Sequence, residues 1–311
     1  MGFEAPVSIT AVIAAYNREL LVRRAIESCL AQERPPEEIV VVDDGSSDST
    51  RAVSESFGAR VRCFHQQNQG ASEARNRGAR EARSEWIAIL DSDDYWAPEH
   101  LARMQRAIRA TQGACGVYFG DMWCDEPTGQ GRLWALSGFS IEGDHQVSSD
   151  ASAWALMPRQ PMMLQSSVFR REAYLGVGGM RPEYRVRGDT YLFFKLCLGR
   201  PACAVAGLGA RMTSEGGAER VTTAHDRDSL DFWMSTHRMY REILDGGWVL
   251  TRPQRQAVSS RLAAAHLRLA RFSLKDGRPH GAAAHVLRAL HESPARVIEG
   301  LGRRLKPRRG D

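Results

Sequence analysis

The run VSITAVIAA ends on Tyr16-Asn17, EEIVVV ends on Asp43-Asp44, and EWIAIL ends on Asp91-Ser92-Asp93-Asp94. Near-continuous apolar runs of this length read as strands buried on both faces. Helical spacing fills the gaps between them. Leu21, Ala25, Cys29 and Leu30 recur on one face before Pro35-Pro36, and RAVSESFG follows the cap candidates Ser47 to Thr50. GASEARNRGAREAR is an Ala/Arg-rich helix, and Pro98 opens another that runs to Ala110. RVRCFHQ and GVYFG read as further strands. Such alternation restricts the chain to an α/β fold, a Rossmann-like and mostly parallel sheet with helices on both faces. Ligands of these sheets sit beyond the carboxyl ends of the strands, where all three polar clusters fall.

With 311 residues the chain holds one large α/β domain, or one domain plus an appendage. No apolar run reaches the ~18 residues of a bilayer span, and MGFEAPVSIT lacks the basic-then-apolar order of a secretory leader. A cytoplasmic location is therefore expected. The six cysteines form no C-x-x-C pair, and several sit in apolar runs. Reduced, mostly buried thiols fit this better than disulfides or a zinc site. The net charge of +5 is unevenly placed: from Thr251 onward 14 Lys/Arg face 4 Asp/Glu, whereas the preceding residues carry 28 against 33. The basicity belongs to the tail.

The carboxylates carry the chemistry. Alternating aspartates just past a strand suit Mg²⁺ or Mn²⁺, which take oxygen ligands from one or two carboxylates together with substrate phosphates. D-x-D is also common turn chemistry, but the preceding strand and the second strand-end pair favour a site. Of Asp43 and Asp44, one is expected to hold the turn while the other faces the cleft, with Asp48 or Ser49 capping the next helix. Tyr16 offers a face or a hydroxyl to a base or ribose. Arg75 reads as a contact to diphosphate or nucleoside, Arg77 as a solvated face, and Trp123, Trp134 and Trp154 as packing residues in an irregular stretch over 121–160. No phosphate-cradling G-x-x-x-x-G-K-[ST] competes.

VSITAVIAAYNRE, EEIVVVDDGSSDST, NQGASEARNRGAREARSEWIAILDSDD and SSVFRREAYLGVGGM with GDTYLFFKL together resemble the family 2 glycosyltransferases over roughly residues 7–215. The resemblance implies an inverting enzyme of the A-type glycosyltransferase fold that uses a nucleoside-diphosphate sugar, with UDP favoured. It assigns Ala15, Tyr16, Asn17, Arg18, Asp44, Arg75, Asp91 and Ser92 to the nucleotide-sugar. Asp93, with Asp91, would hold a divalent cation, Mn²⁺ or Mg²⁺, and Asp189 would be the catalytic base. Two positions depart from the pattern: Gly188 precedes Asp189 where Glu-Asp is usual, and Thr213 follows Arg211 where many members carry a metal-binding histidine. Residues 1–228 are then expected to be the catalytic domain, with a nucleotide half to about 120 and an acceptor half over 121–228.

From Ser229 the chain reads as helical, with Val258, Leu262, Ala265, Leu269 and Phe272 in an apolar stripe and KDGRPH as a turn before a helix from Gly281 to Leu290. Residues 229–311 form a basic helical extension, by default a cap. The sharper expectation adds that GRRLKPRRG draws the chain to an anionic lipid surface or acceptor. Nucleic acid is disfavoured because no aromatic residues interleave with these arginines. The expected partners are thus a nucleotide-sugar donor and a carbohydrate, lipid-linked or small-molecule acceptor. Gly188 and Thr213 motivate one alternative, an inactive adaptor acting through the tail. A sugar nucleotidylyltransferase would need a Gly-rich, basic loop after the first strand, which AAYNREL lacks.

Overall fold

The computed structural model describes residues 7–126, 129–184, 186–213 and 229–298. The chain divides into two compact units, Met1–Glu183 with Gly188–Ala218, and Tyr184–Arg187 with Glu219–Asp311.

In the first unit β1 (Ile9–Ala15), β2 (Glu38–Asp43), β3 (Arg62–His65) and β4 (Trp86–Asp91) alternate with α1 (Val22–Leu30), α2 (Thr50–Glu55) and α3 (Ala71–Glu81). After them come β5 (Tyr95–Trp96), α4 (His100–Ala110), β6 (Val117–Glu126), β7 (Gly129–Arg132), α5 (Leu133–Ser137), β8 (His145–Ser148) and α6 (Ser152–Ala155). The unit closes with β9 (Ser167–Arg170), α7 (Arg171–Gly176), α8 (Gly188–Cys197) and β10 (Ala202–Arg211). The sheet order is β3-β2-β1-β4-β9-β6-β10-β5, with β7 on β6 and β8 on β10. β1, β2, β3 and β4 pair in parallel, β9 runs antiparallel between β4 and β6, and β10 returns parallel to β6. The fold is the expected mixed α/β type with a mostly parallel sheet.

Val12, Val40 and Ile89 on the three central strands are fully buried, as two-faced strands require. α3 lies close against β1: a Cβ at Gly78 would come within 2.3 Å of the Val12 side chain. That close approach needs glycine, and it fixes the helix that carries Arg75.

The stretch 121–160 is more ordered than its composition suggests. β6 continues to Glu126, and β7, α5, β8 and α6 follow. Phe119, Trp134, Phe139 and Trp154 form a cluster with ring centroids 5.0 to 6.1 Å apart. Burial of these large rings outweighs the local preference of the Gly- and Ser-rich sequence for loop.

The second unit contains α9 (Leu230–Asp245), α10 (Arg252–Lys275) and α11 (Pro279–Glu292). The Ser229 hydroxyl accepts the Phe232 N–H (3.2 Å), and Thr251 with Gln254 forms a capping box at the start of α10. Val258, Leu262, Ala265 and Leu269 are buried as their spacing predicts, while Phe272 is partly exposed. α11 begins two residues earlier than expected because Pro279 sits in its first turn. No described helix is long and apolar enough to cross a membrane.

Candidate active site

The parallel register brings the strand ends to one rim: Ala15 pairs with Asp43, and Ala14 pairs with Asp91. The Ala15 carbonyl accepts the Asp44 N–H (2.8 Å). Beyond β1, Asn17 adopts a left-handed φ of 51° and is laced to the loop after β2. Its N–H donates to Ser46 Oγ (2.9 Å), and its Oδ1 accepts the Ser47 N–H (2.9 Å). The Arg18 N–H donates to Thr50 Oγ1 (2.7 Å). Tyr16, just before them, is 47% exposed and presents its side chain to solvent at the rim.

Both strand-end aspartates of β2 are buried and held. Asp43 accepts the Ser46 N–H (3.2 Å) and lies 2.7 Å from His65 Nδ1. Asp44 accepts Gln66 Nε2 (2.7 Å) and the N–H groups of Gln69 (2.9 Å) and Gly70 (2.8 Å). The expected division of labour is therefore modified, since Asp43 holds the turn and Asp44 shapes the entry to α3. Asp48, rather than Ser49, accepts the Thr50 N–H (3.0 Å) at the start of α2.

Asp91 ends β4, and the Asp94 N–H closes the following turn on the Asp91 carbonyl (3.0 Å). Turn and site coincide here. Asp91, Asp93 and Asp94 each offer an oxygen within 4.8 Å of the others, while Ser92 is buried. The Asp91 carboxylate is gripped from two sides, by Arg75 Nε (3.2 Å) and Nη2 and by Gln165 Nε2 (2.5 Å). Thr213, two residues past the end of β10, clamps the turn. Its N–H donates to Asp94 Oδ1 (3.3 Å), its hydroxyl donates to the Asp93 carbonyl (2.8 Å), and Arg24 Nη2 donates to that hydroxyl (2.6 Å). At the position where the family pattern often has histidine, this chain therefore has a structural clamp. The all-oxygen donor set fits a hard divalent cation.

Asp189 lies in the first turn of α8 rather than at its N-cap, and its Oδ1 accepts the Thr190 N–H (2.6 Å). Burial disfavours the charge on Arg75, but Asp91 outweighs it and Asp189 adds to the same effect, so the guanidinium is held above its ordinary value. Asp91 is the direct partner of this cation, and Tyr174 and then Asp189 contribute at longer range. Asp44 holds the entry to α3, the helix that carries Arg75.

Sequence reasoning missed the residues that tie both α3 and α8 to the 174–180 segment. Asn76 Oδ1 accepts the Met180 N–H (2.9 Å) and the Tyr174 hydroxyl (2.8 Å), and its Nδ2 donates to the Met180 carbonyl (2.7 Å). Gly179, at φ 58°, leaves room for this; a Cβ there would lie 2.3 Å from Asn76 Oδ1. Buried Lys195 on α8 donates to the carbonyls of Val177 and Gly179 (2.7 Å each). The available signals were a lone cation inside YLFFKLCL and the GG of GVGGM. Gln165 carried no signal. Arg77 is not a solvated face: its Nη1 donates to the His65 carbonyl (2.8 Å) and its guanidinium lies 5.5 Å from the Phe64 ring centre. Trp134 and Trp154 pack in the aromatic cluster, and Trp123 stacks with Arg211 at 5.3 Å.

Residues 10–159 match the family model described as Glycosyl transferase family 2. This region belongs to that family. The chain is 49% identical over 98 residues to the succinoglycan biosynthesis protein ExoO of Rhizobium meliloti (strain 1021), covering 31% of this chain and 28% of that protein. It spans less than a third of the length of the first curated relatives it matches. Among solved structures it is similar to S. aureus TarS 1-349 in complex with UDP-GlcNAc, with a TM-score of 0.66 at 16% identity over 90% of each chain. It is also similar to the mannosyltransferase PcManGT from Pyrobaculum calidifontis in complex with GDP-Man and Mn²⁺, with a TM-score of 0.57 at 17% identity over 96% of this chain and 79% of that one. At these identities the likeness is one of fold, the A-type glycosyltransferase fold.

Proposed function

We propose that this chain transfers a sugar from a nucleoside-diphosphate sugar, UDP being favoured, to an acceptor hydroxyl with inversion, in the building of a polysaccharide, glycolipid or secondary metabolite. The observation that supports this is the parallel register, which brings the ends of β1, β2 and β4, with Tyr16, Asp44 and the Asp91–Asp94 turn, to one rim. Residues 1–228 form the catalytic domain in this reading. Tyr16, with the Ala15–Arg18 segment, receives the nucleoside. Asp44 acts by holding the loop that leads into α3, and Ser92 by its place in the aspartate turn.

Asp93, with Asp91, would hold Mn²⁺ or Mg²⁺, which when bound supplies Lewis-acid neutralisation of the diphosphate. Arg75 and Gln165 hold the Asp91 carboxylate in place, and Thr213 fixes the turn that presents Asp93. Asp189 takes the proton from the acceptor hydroxyl while that oxygen bonds to the anomeric carbon. The bond from that carbon to the diphosphate oxygen breaks, and its electron pair leaves with the nucleoside diphosphate. One displacement inverts the centre.

The test is donor hydrolysis across a panel of nucleotide-sugars, with Asp189→Asn as the control, together with thermal stabilisation by UDP and Mn²⁺. A transferase hydrolyses at least one donor and is stabilised by nucleotide only when metal is present. The adaptor alternative predicts neither. The tail segment GRRLKPRRG, from which peripheral membrane contact was expected, lies outside the described residues.

A further inference from the structure

Helix α11 presents two unlike faces. Ala282 and Ala289 are buried, and Ala289 packs with Ala263 of α10 and with Val297. Ala283, Val286, Leu287 and Leu290 fall within about 100° of one another around the helix. All four are exposed, Leu287 by 67%. A continuous apolar face in water is unfavourable and marks a surface that something covers.

The charge around it identifies the covering. Residues 229–298 carry 11 Lys/Arg against 5 Asp/Glu. Arg271, Lys275, Arg278 and Arg288 are exposed at the α10–α11 turn and along α11. Three of the five acids already face arginines, Asp276 beside Arg278, and Asp245 (3.9 Å) and Glu292 (2.9 Å) beside Arg241. An apolar stripe fringed by cations is the pattern of a helix lying in the plane of a lipid interface.

We propose that α11 is a membrane-docking helix. Val286, Leu287 and Leu290 enter the headgroup–acyl boundary of an anionic leaflet, and the flanking arginines meet the lipid phosphates. Each basic residue near such a surface adds attraction that salt screens. A second copy of this chain fits worse as the occupant. Self-pairing would bring two basic faces together, and four side chains fall far short of the roughly 800 Å² per partner of a stable interface.

The experiment is flotation of the full chain with phosphatidylcholine vesicles that contain or lack phosphatidylglycerol, for wild type and for Leu287→Glu/Leu290→Glu. Both substituted positions are exposed, so the fold is retained; circular dichroism and donor hydrolysis verify that and keep this test separate from the transferase reading. Wild type should float with the anionic vesicles only, less so at high salt, and the double variant about tenfold less. Deletion of residues 303–311 should weaken binding without abolishing it. Equal flotation of the double variant and wild type overturns the proposal and leaves the tail as the anchor. Absence of wild-type flotation at low salt overturns it outright, as does a dimer, seen by light scattering, that the double variant loses.

Discussion

The sheet unit and the helical unit contrast in how several of their buried polar groups are met, although His100 of the sheet unit shares with the helical unit a buried ring nitrogen that has no partner among the described residues. In the sheet unit Asp43, Asp44, Asn76 and Lys195 are buried, and each meets partners of complementary character brought from elsewhere in the chain. In the helical unit His237, His266 and His285, one from each of three helices, meet one another instead. The rings of His237 and His266 are 4.5 Å apart, those of His266 and His285 are 5.3 Å apart, and the Nδ1 atoms of the latter pair are 3.0 Å apart. His266 is fully buried, and its Nε2 has no hydrogen-bond partner among the described residues. Complementary partners fix a geometry, whereas like groups packed together tolerate only the neutral state. The first arrangement suits a site that must aim carboxylates, and the second makes a unit sensitive to acid.

The contrast breaks first at Asp189. Replacement by asparagine keeps the Thr190 contact available but removes the base, so turnover should fall by about 10²–10⁴-fold with little change in melting temperature. An unchanged rate would remove Asp189 from the chemistry and leave it a helix-start residue.

Lys195 sharpens the same contrast. Lys195→Met keeps the volume of the side chain but leaves the Val177 and Gly179 carbonyls without their donor, at a cost of about 1–3 kcal/mol read by urea denaturation. Activity should fall as well, because the 177–180 loop joins α8 to α3. Full stability and activity would show that the loop is held by Asn76 alone.

The histidines give the smallest and most conditional effect. Burial, then the neighbouring arginines and histidines, lowers the pKa of His237 from 6.5 to about 4 and that of His266 to about 3. The unfolded chain therefore binds more protons between these values. Stability contributed by the neutral rings is fully present above pH 6.5 and is lost as pH falls through the window from 6.5 toward about 4. Melting curves over that range should slope downward for wild type and less steeply for His266→Leu. Equal slopes would place the acid sensitivity elsewhere.

What the sequence made legible follows from what it encodes locally. The strands VSITAVIAA and EWIAIL were readable because burial on both faces demands unbroken apolar runs, and their polar ends announced the rim. The β6 extension through DMWCDE was not, because its acidic residues break the pattern and its order comes from pairing with β10 and β7. Asp91 and Asp189 were named from sequence, but Gln165, Asn76 and Lys195, which hold their surroundings, were not. A residue whose task is to hold another carries no motif of its own. Its partners lie 74, 104 and 16 to 18 positions away and are visible only in three dimensions.

The most direct test of the central claim, that these distant carboxylates share one cavity, is a crystal structure of the chain grown with UDP and Mn²⁺. The account predicts the ion on Asp93, the diphosphate beside it, the base near Tyr16, and the Asp189 carboxylate facing the same cavity from α8. An ion bound away from the Asp91–Asp94 turn, or an Asp189 carboxylate turned toward a different surface, would contradict it.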